Sequence, residues 1–420
     1  MIKNRSFRIA VVGVLTMMLL AACGGSSDSS VKVLPEGTAP SKLLSGVLPL
    51  VPKWLSAWGG TRITGTAPVN ATIRNIARVT ASGSQIRLRF FNMGATPMVI
   101  GNAYAGIRDG VTGATLLTGS NRQVTFNGGQ KSITIPPGTA SIYSDPVALQ
   151  VKAQDDVAVS LFISDSKSPG EFSTEWNTSY VTASNAGDLS AQESATAFTV
   201  ASTALYALRD VEVLTSESTG AMVFLGSSSF HGSNSTHDAY KRVPDQISAR
   251  INKEILAGQQ KTVVNRGIGG DSLGVAFRTR MEQDVWSTVG IDTIVVWVTN
   301  DLGPTGGNRT ADQIIADYLE LIKQAHSRGI NVFCPTWVPG AQSGPGLLDG
   351  EREKLNSWIL NSKKCDLSVD YNKVVQNETI PYTWKPEYLT DHIHTNDAGH
   401  TAWAQVTPVA EWVARPKPAP

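Results

Sequence analysis

The hydrophobic pattern of this 420-residue chain changes period near residue 215, and that change constrains the fold more than any other feature. From about Trp54 to Val213, apolar and polar residues alternate in short runs such as Ile86-Arg87-Leu88-Arg89-Phe90 and Val157-Ala158-Val159-Ser160-Leu161. A period of two sorts side chains onto opposite faces of a strand. Val124-Thr125-Phe126 runs into Asn127-Gly128-Gly129, and Ile133-Thr134-Ile135 into Pro136-Pro137-Gly138, a spacing that favours antiparallel hairpins. The first half therefore predicts a β-sandwich, with the polar stretch from Thr182 to Ser194 as a long loop crossing between the halves.

After Thr215 the order becomes strand, loop, helix, repeated. Met222 to Leu225, Thr262 to Asn265, Thr293 to Val298, Ile330 to Cys334 and Leu367 to Tyr371 are apolar strand candidates. Between them Val243, Ile247, Ile251 and Ile255 recur every four residues ahead of Gly258, and Ile314, Ile315, Tyr318, Leu321, Ile322 and Ala325 form a stripe that stops at Gly329. A last helix carries Trp403, Val406, Ala410 and Val413 on one face. Five strands with intervening helices predict an α/β domain whose parallel five-stranded sheet is covered on both faces. Ligands of such sheets bind beyond the carboxyl ends of the strands, so any chemistry belongs on the loops that follow them.

The first residues read as an address. Lys3, Arg5 and Arg8 precede an apolar run from Ile9 to Leu20, which suits an export signal and is shorter than the ~20 residues that span a bilayer. The run ends in Leu20-Ala21-Ala22-Cys23, which resembles a bacterial lipobox and implies lipidation at Cys23; Gly24 to Ser30 would be tether. The expected organisation is a signal peptide at 1–22, lipidated Cys23 and linker at 23–45, a β-sandwich at 46–214 and an α/β domain at 215–420, held at the cell envelope, at the outer membrane or cell surface, by lipid alone.

A formal net charge of +1, from 36 basic and 35 acidic residues, leaves no broad electrostatic footprint for nucleic acid. Three cysteines exclude a disulfide scaffold, a Cys-based zinc finger and an iron–sulfur cluster. Export makes a Cys334 to Cys365 bridge chemically possible. If the two flanking strands are adjacent and parallel, however, an offset at ~3.3 Å per residue would carry the α-carbons beyond the ~7 Å a disulfide tolerates. The pairing stays open on sequence alone.

Four loop segments carry candidate chemistry. Gly226-Ser227-Ser228-Ser229-Phe230-His231-Gly232 follows the first strand and would lift a hydroxyl to the sheet edge. Asn265-Arg266-Gly267-Ile268-Gly269-Gly270-Asp271-Ser272 ends the second strand with glycines that bare their amide hydrogens. Thr299-Asn300-Asp301 sets a side-chain amide donor after the third. Asp391-His392-Ile393-His394 allows a turn to fold Asp391 onto one nitrogen of His394, freeing the other to take a proton. Each alone has an ordinary reading as a turn or helix cap. A rival for the last uses His392 and His394 as metal ligands with Asp391 or His400, but no second cluster completes such a site.

Together, in this order, the four segments resemble the four blocks of the SGNH hydrolases, also called GDSL-type esterases, over roughly Thr215 to Arg415. The text of the first half, at Trp54 to Trp58, Ile86 to Gly94, Ser144-Asp145-Pro146-Val147 and Leu208 to Val213, resembles the β-domain that precedes the hydrolase in one bacterial and fungal branch of secreted members. The resemblance implies a flavodoxin-like three-layer hydrolase domain. Matched by position, it implies Ser228 as nucleophile, His394 as general base, Asp391 as its orienting carboxylate, and an oxyanion hole from the Ser228 and Gly270 amides with Asn300. No metal or cofactor is implied.

Two positions depart from the family pattern. Ser227 stands where an Asp is usual, and Val298 where a Gly is usual, which would loosen the first loop and add bulk beside the cleft. The expected activity is cleavage of short acyl esters, acetyl foremost, through an acyl-enzyme, with a polysaccharide among the candidate substrates. A lipase or small-ester hydrolase, an O-acyltransferase, and a binding lipoprotein without catalysis are the other readings. The ten tryptophans could stack on sugars, yet Trp297 and Trp403 lie on faces expected to be core.

Overall fold

The computed structural model describes residues 51–418 except 62, 65–69, 93, 165–170, 341–346 and 392. The export segment, Cys23 and His392 lie outside the described residues. Residues 49–420 form one compact unit.

The first half builds two antiparallel sheets, as its alternation predicts. One has four strands in the order Lys53–Gly59, Leu208–Thr215, Gln85–Asn92, Thr139–Tyr143. The other runs Val200–Tyr206, Glu171–Val181, Ala71–Arg78, Asp156–Ile163, Met98–Ile107, Arg122–Gln123, with Ile63–Thr64 and Ile133–Ile135 added at its sides. The inward positions of both, among them Ile73, Leu88, Phe90, Ile100, Leu161 and Val213, make one apolar core.

Two local expectations fail here for topological reasons. Pro136-Pro137-Gly138 closes no hairpin: Ile133–Ile135 pairs with Met98–Ile107 in one sheet and Thr139–Tyr143 with Gln85–Asn92 in the other, so the turn carries the chain across the sandwich. Nor does the Thr182 to Ser194 loop leave the β half. It joins Glu171–Val181 to Val200–Tyr206, which pair with each other, and it lies over the sheet through Thr72 Oγ1 to the Gly187 carbonyl (3.0 Å) and Leu116 N–H to the Glu193 carbonyl (2.9 Å).

The parallel sheet holds Gln260–Gly267, Ser218–Gly226, Ile291–Trp297, Asn331–Pro335 and Leu367–Val369 in that order, so its sequence order is 2-1-3-4-5. This is the flavodoxin-like arrangement, and its switch point lies between the first and third strands, where neighbouring crossovers leave in opposite directions. The middle strands are buried on both faces, which is why they read as unbroken apolar runs. Helices Val243–Glu254 and Ala311–His326 present the expected stripes, and the second opens on a capping box of Thr310 and Gln313. The C-terminal helix is two helices, Asp397–Val406 and Val409–Ala414, because Pro408 drives Thr407 out of helical geometry and leaves Val406 exposed.

Cys334 and Cys365 are bridged, with their α-carbons 6.0 Å apart. An offset counted along the strand applies only where Cys365 continues that strand backwards. It sits instead in the bend ahead of Leu367–Val369, where Asp366 N–H reaches the Val332 carbonyl at 2.9 Å, so the chain turns over the sheet toward Cys334.

The edge of the parallel sheet is continuous with the β half. Thr262 Oγ1 donates to the Ser56 carbonyl at 2.6 Å, and Val263 N–H to Thr80 Oγ1 at 3.0 Å.

Candidate active site

Gly226 ends the first strand, and Ser227 turns the chain into a single helical turn, Ser228–His231, closed by Gly232 in the left-handed region at φ 107°. Phe230 fills the space over Gly226 so closely that a β-carbon there would lie 2.4 Å from its ring. The turn is thus pressed onto the sheet and Ser228, half-buried, stands at the rim of the switch point. Ser227 is fully buried and its hydroxyl lies 3.1 Å from that of Thr299, so a neutral bond ties the first loop to the third-strand loop where the family pattern has a carboxylate. Val298 lies wholly in the hydrophobic core; it adds no bulk to the cleft, contrary to expectation.

The second and third loops are stitched together. Ser272 and Thr299 form an isolated antiparallel bridge, and Asn300 Nδ2 donates to the Asp271 carbonyl at 2.7 Å. A side-chain amide has two N–H groups, so one fixes Asn300 and the other remains to point outward. Gly270, exposed at φ +77°, occupies a conformation that side-chain-bearing residues rarely take. Asp301 caps helix Leu273–Thr279 by accepting from the backbone N–H of Leu273 (2.6 Å) and Gly274 (3.0 Å), and it pairs with Arg309. Asp271 is buried against Arg280; burial pushes its carboxyl up, and Arg280 opposes that rise.

On the far side of the rim, His394 Nδ1–H donates to Asp391 Oδ2 at 2.7 Å, and Asp391 Oδ1 accepts from the backbone N–H of His394 (2.8 Å) and Ile393 (3.1 Å). Partial burial raises the Asp391 carboxyl, but the His394 ring and these N–H groups outweigh it and hold the group well below the usual carboxylate range. The carboxylate therefore stays ionised and fixes the tautomer that leaves His394 Nε2 free. Two further bonds tie this loop to the segment after Ser228: Asn234 Nδ2 to Thr390 Oγ1 at 2.6 Å, and Thr236 N–H to Asp397 at 2.7 Å.

The two sides face one cavity of about 170 Å³. Ser228 and Asn300 line it together with Ile393, the neighbour of His394, and with Leu302, Trp337 and Val338. Ser228 and the His394 loop thus share one rim. The Ser228 hydroxyl and the His394 ring are not hydrogen-bonded to each other; such pairs tighten when a substrate fills the cleft. Gly270 is not among the residues that line this cavity. The arrangement offers a hydroxyl, a base oriented by a carboxylate, and a side-chain amide donor around one cavity, parts that acyl transfer uses.

Sequence reading assigns no role to the side chain of Thr299 and does not single out Leu302, Trp337, Asn234 or Arg280. Asn234 has the left-handed backbone (φ 65°) that its residue type tolerates, and this was its only signal. Of the residues in the rival metal reading, His392 lies outside the described residues and His400 is wholly buried, packed edge-on to Trp403; among the described residues no group of three or more His, Cys, Asp or Glu side chains could hold a metal ion. Trp297 and Trp403 are core, as expected.

Residues 224–402 match the GDSL-like lipase/acylhydrolase family. No curated protein matches the chain. Among solved structures, the lipase/acylhydrolase from Enterococcus faecalis is 20% identical and aligns with 48% of this chain and 99% of its own, at a TM-score of 0.38. A GDSL-like lipase from Bacteroides thetaiotaomicron is 18% identical over 46% of this chain and 88% of its own, at 0.35. A variant of an acetyl-xylooligosaccharide esterase from Geobacillus is 15% identical over 47% and 95%, at 0.36.

Proposed function

We propose that this chain, whose C-terminal half is a GDSL-like acylhydrolase domain and which is thereby a serine carboxylic ester hydrolase, removes short acyl groups from esters outside the cytoplasm, with acetylated carbohydrate as the substrate class. One observation carries the reading: Ser228 and Asn300 share a small cavity with the loop that bears the Asp391–His394 pair. At about 170 Å³ it is well under the roughly 300–1,000 Å³ of pockets that take drug-sized ligands. That size suits an acetyl to butyryl group better than a long lipid chain.

In the proposed reaction His394 Nε2 takes the Ser228 proton while Oγ bonds to the ester carbonyl carbon. The electron pair displaced onto oxygen is held by the Ser228 and Gly270 amides and Asn300. His394 returns the proton to the departing alcohol as the ester C–O bond breaks. Water, deprotonated by the same ring, then releases the acid and restores Ser228. The basic and apolar run up to Leu20 and the lipobox-like Leu20-Ala21-Ala22-Cys23 support action at the cell envelope, and this part of the proposal rests on the sequence of residues 1–30 alone.

The test is a panel of nitrophenyl esters and acetylated glycans with the purified protein and its Ser228→Ala variant. Acetyl esters should be cleaved, activity should fall steeply beyond butyryl, and Ser228→Ala should abolish it. Retained activity in that variant, or a preference for long chains, overturns the reading. Transfer of the acyl group to a sugar hydroxyl in place of water would identify an acyltransferase.

A further inference from the structure

Four guanidinium groups and three carboxylates are packed where the β half meets the parallel sheet. Asp210, on strand Leu208–Thr215, is wholly buried between Arg89, whose Nε donates to it at 2.7 Å, and Arg266, whose Nη2 donates at 2.5 Å. Next to it Arg209 Nη2 donates to Asp284 Oδ1 at 2.8 Å, and Arg280 Nε to Asp284 Oδ2 at 2.7 Å. Arg280 then reaches the Asp271 carboxylate and the Arg266 carbonyl with its two remaining nitrogens. Burial raises the Asp284 carboxyl, but Arg280, Arg209 and Arg266 override it and bring it to about 2.

We infer that the N-terminal β-domain is a working part of the active site: the buried run Arg209–Asp284–Arg280–Asp271 holds the segment bearing Gly270, which makes Arg280 and Arg209 positioning residues for the oxyanion. The inference rests on the oxyanion roles proposed above for Gly270 and Asn300. One end of the run stands on a strand of the four-stranded sheet. The other end is Asp271, which adjoins Gly270 in sequence and whose carbonyl anchors Asn300, so two of the three donors depend on it.

A junction needed only for stability would be made at lower cost by apolar packing, since desolvation offsets most of the gain from buried ion pairs. Four positive groups, Arg89, Arg209, Arg266 and Arg280, against three negative, Asp210, Asp271 and Asp284, leave one positive charge in excess next to the loop where negative charge would develop. Asp284 also sits in a π-helical turn, Met281–Trp286, a geometry that recurs at functional sites.

The β half grips the serine side independently. Trp176 Nε1 donates to the Ser235 carbonyl at 2.6 Å, Thr178 Oγ1 to Asp238 at 2.6 Å, and Arg78 lies 3.2 Å over the Tyr240 ring. Asn234, Asp238 and Tyr240 all have positive φ, so this segment is held in a shape it would not keep alone.

The experiment compares full-chain Arg280→Met, Arg209→Met and Arg280→Lys with the parent, taking kcat per active site titrated with a fluorophosphonate, KM, and thermal midpoint. A group that only stabilises the fold lowers the midpoint and the number of titratable sites, and leaves kcat per site alone. For a positioning role, Arg280→Met should lower kcat per site by roughly 10- to 100-fold with KM within about twofold, because displacement of the oxyanion donors is felt in the transition state. Arg209→Met, which touches no catalytic loop, should lower it by about threefold or more, and Arg280→Lys should recover part of the Arg280→Met loss by keeping the charge. Unchanged kcat per site in both methionine variants overturns the inference; should Arg280→Met fail to fold, Arg209→Met decides by the same criterion. A parent protein that neither labels nor hydrolyses esters would instead overturn the esterase reading on which the inference stands.

Discussion

The two sides of the candidate site are held by opposite means. On the oxyanion side the anchors are buried charges: Asp301 on two backbone amides and Arg309, and Asp271 on Arg280, which leads through Asp284 to the β half. On the histidine side the side chain of Asp391 is 44% exposed and that of His394 19%; the bonds within the pair span two or three residues, and Asn234 and Thr236 tie the loop to the segment after Ser228. Oxyanion donors stabilise a transition state only if they do not have to reorganise, which favours rigid, low-dielectric anchoring. A base that must pick up a proton and pass it on has no such need, and local exposed bonds suffice to orient its ring.

That contrast breaks most visibly if catalysis and stability separate differently from what it requires. His394→Ala should lower turnover by about 10²- to 10⁴-fold, the usual contribution of a general base, and should leave the thermal midpoint within a degree or two of the parent. Asp284→Asn, on the other side and far from any substrate, should cost about 3–5 kcal/mol of stability by leaving Arg209 and Arg280 buried without their shared carboxylate. Its pH signature follows from linkage. The Asp284 carboxyl, at about 2 in the folded chain, lies below the ~3.9 of an unfolded Asp, so its contribution is whole above pH ~4 and is lost as pH falls toward 2. Urea denaturation of the Asn variant should show a flatter pH dependence in that window. A variant as stable as the parent, or a His394→Ala protein that melts early, would remove the distinction between the sides.

The candidate catalytic residues of both sides were easier to read in the sequence than the buried anchors behind the oxyanion side. Ser228, Asn300, Asp391 and His394 are singled out by the sequence because their blocks sit directly after strands or in one short turn and together resemble the four family blocks. The α/β elements were legible for a related reason: strands buried on both faces read as continuous apolar runs, and helix stripes end at left-handed glycines such as Gly329. The buried ion pairs were invisible because alternation sorts residues into two faces and says nothing of what covers the second. In Ile86-Arg87-Leu88-Arg89-Phe90 the arginines read as solvent-facing, yet Arg89 is 2% exposed because the face it lies on is covered by the hydrolase half. The Cys334–Cys365 pairing stays open on sequence alone for a kindred reason, since an offset counted along strands takes no account of the bend ahead of Leu367.

A smaller effect sharpens the comparison within the histidine side itself. Helix Asp397–Val406 follows the His394 loop and carries His400, which has no solvent exposure and packs edge-on against Trp403 at 5.7 Å. Burial brings its ring down to about 4, against ~6.5 for an unfolded histidine. Between those values the unfolded chain binds a proton that the folded chain refuses, so stability is whole above pH ~6.5 and declines by about 1.4 kcal/mol per unit toward pH 4. The sign is the same as for Asp284, but the window is higher. Acidification should therefore loosen the histidine side first, while Asp284, held low, still pairs with Arg209 and Arg280. Hydrogen exchange at the amides of Asp397–Val406, measured at pH 7 and 5, should reveal faster opening at the lower pH after correction for intrinsic rates, with no matching change in Gln260–Gly267. His400→Phe, close in volume and able to keep the contact with Trp403, should abolish that pH dependence at a cost of under about 1.5 kcal/mol at pH 7. If the variant opens with the same pH dependence as the parent, His400 is not the group responsible, and the two sides do not differ in their response to acid.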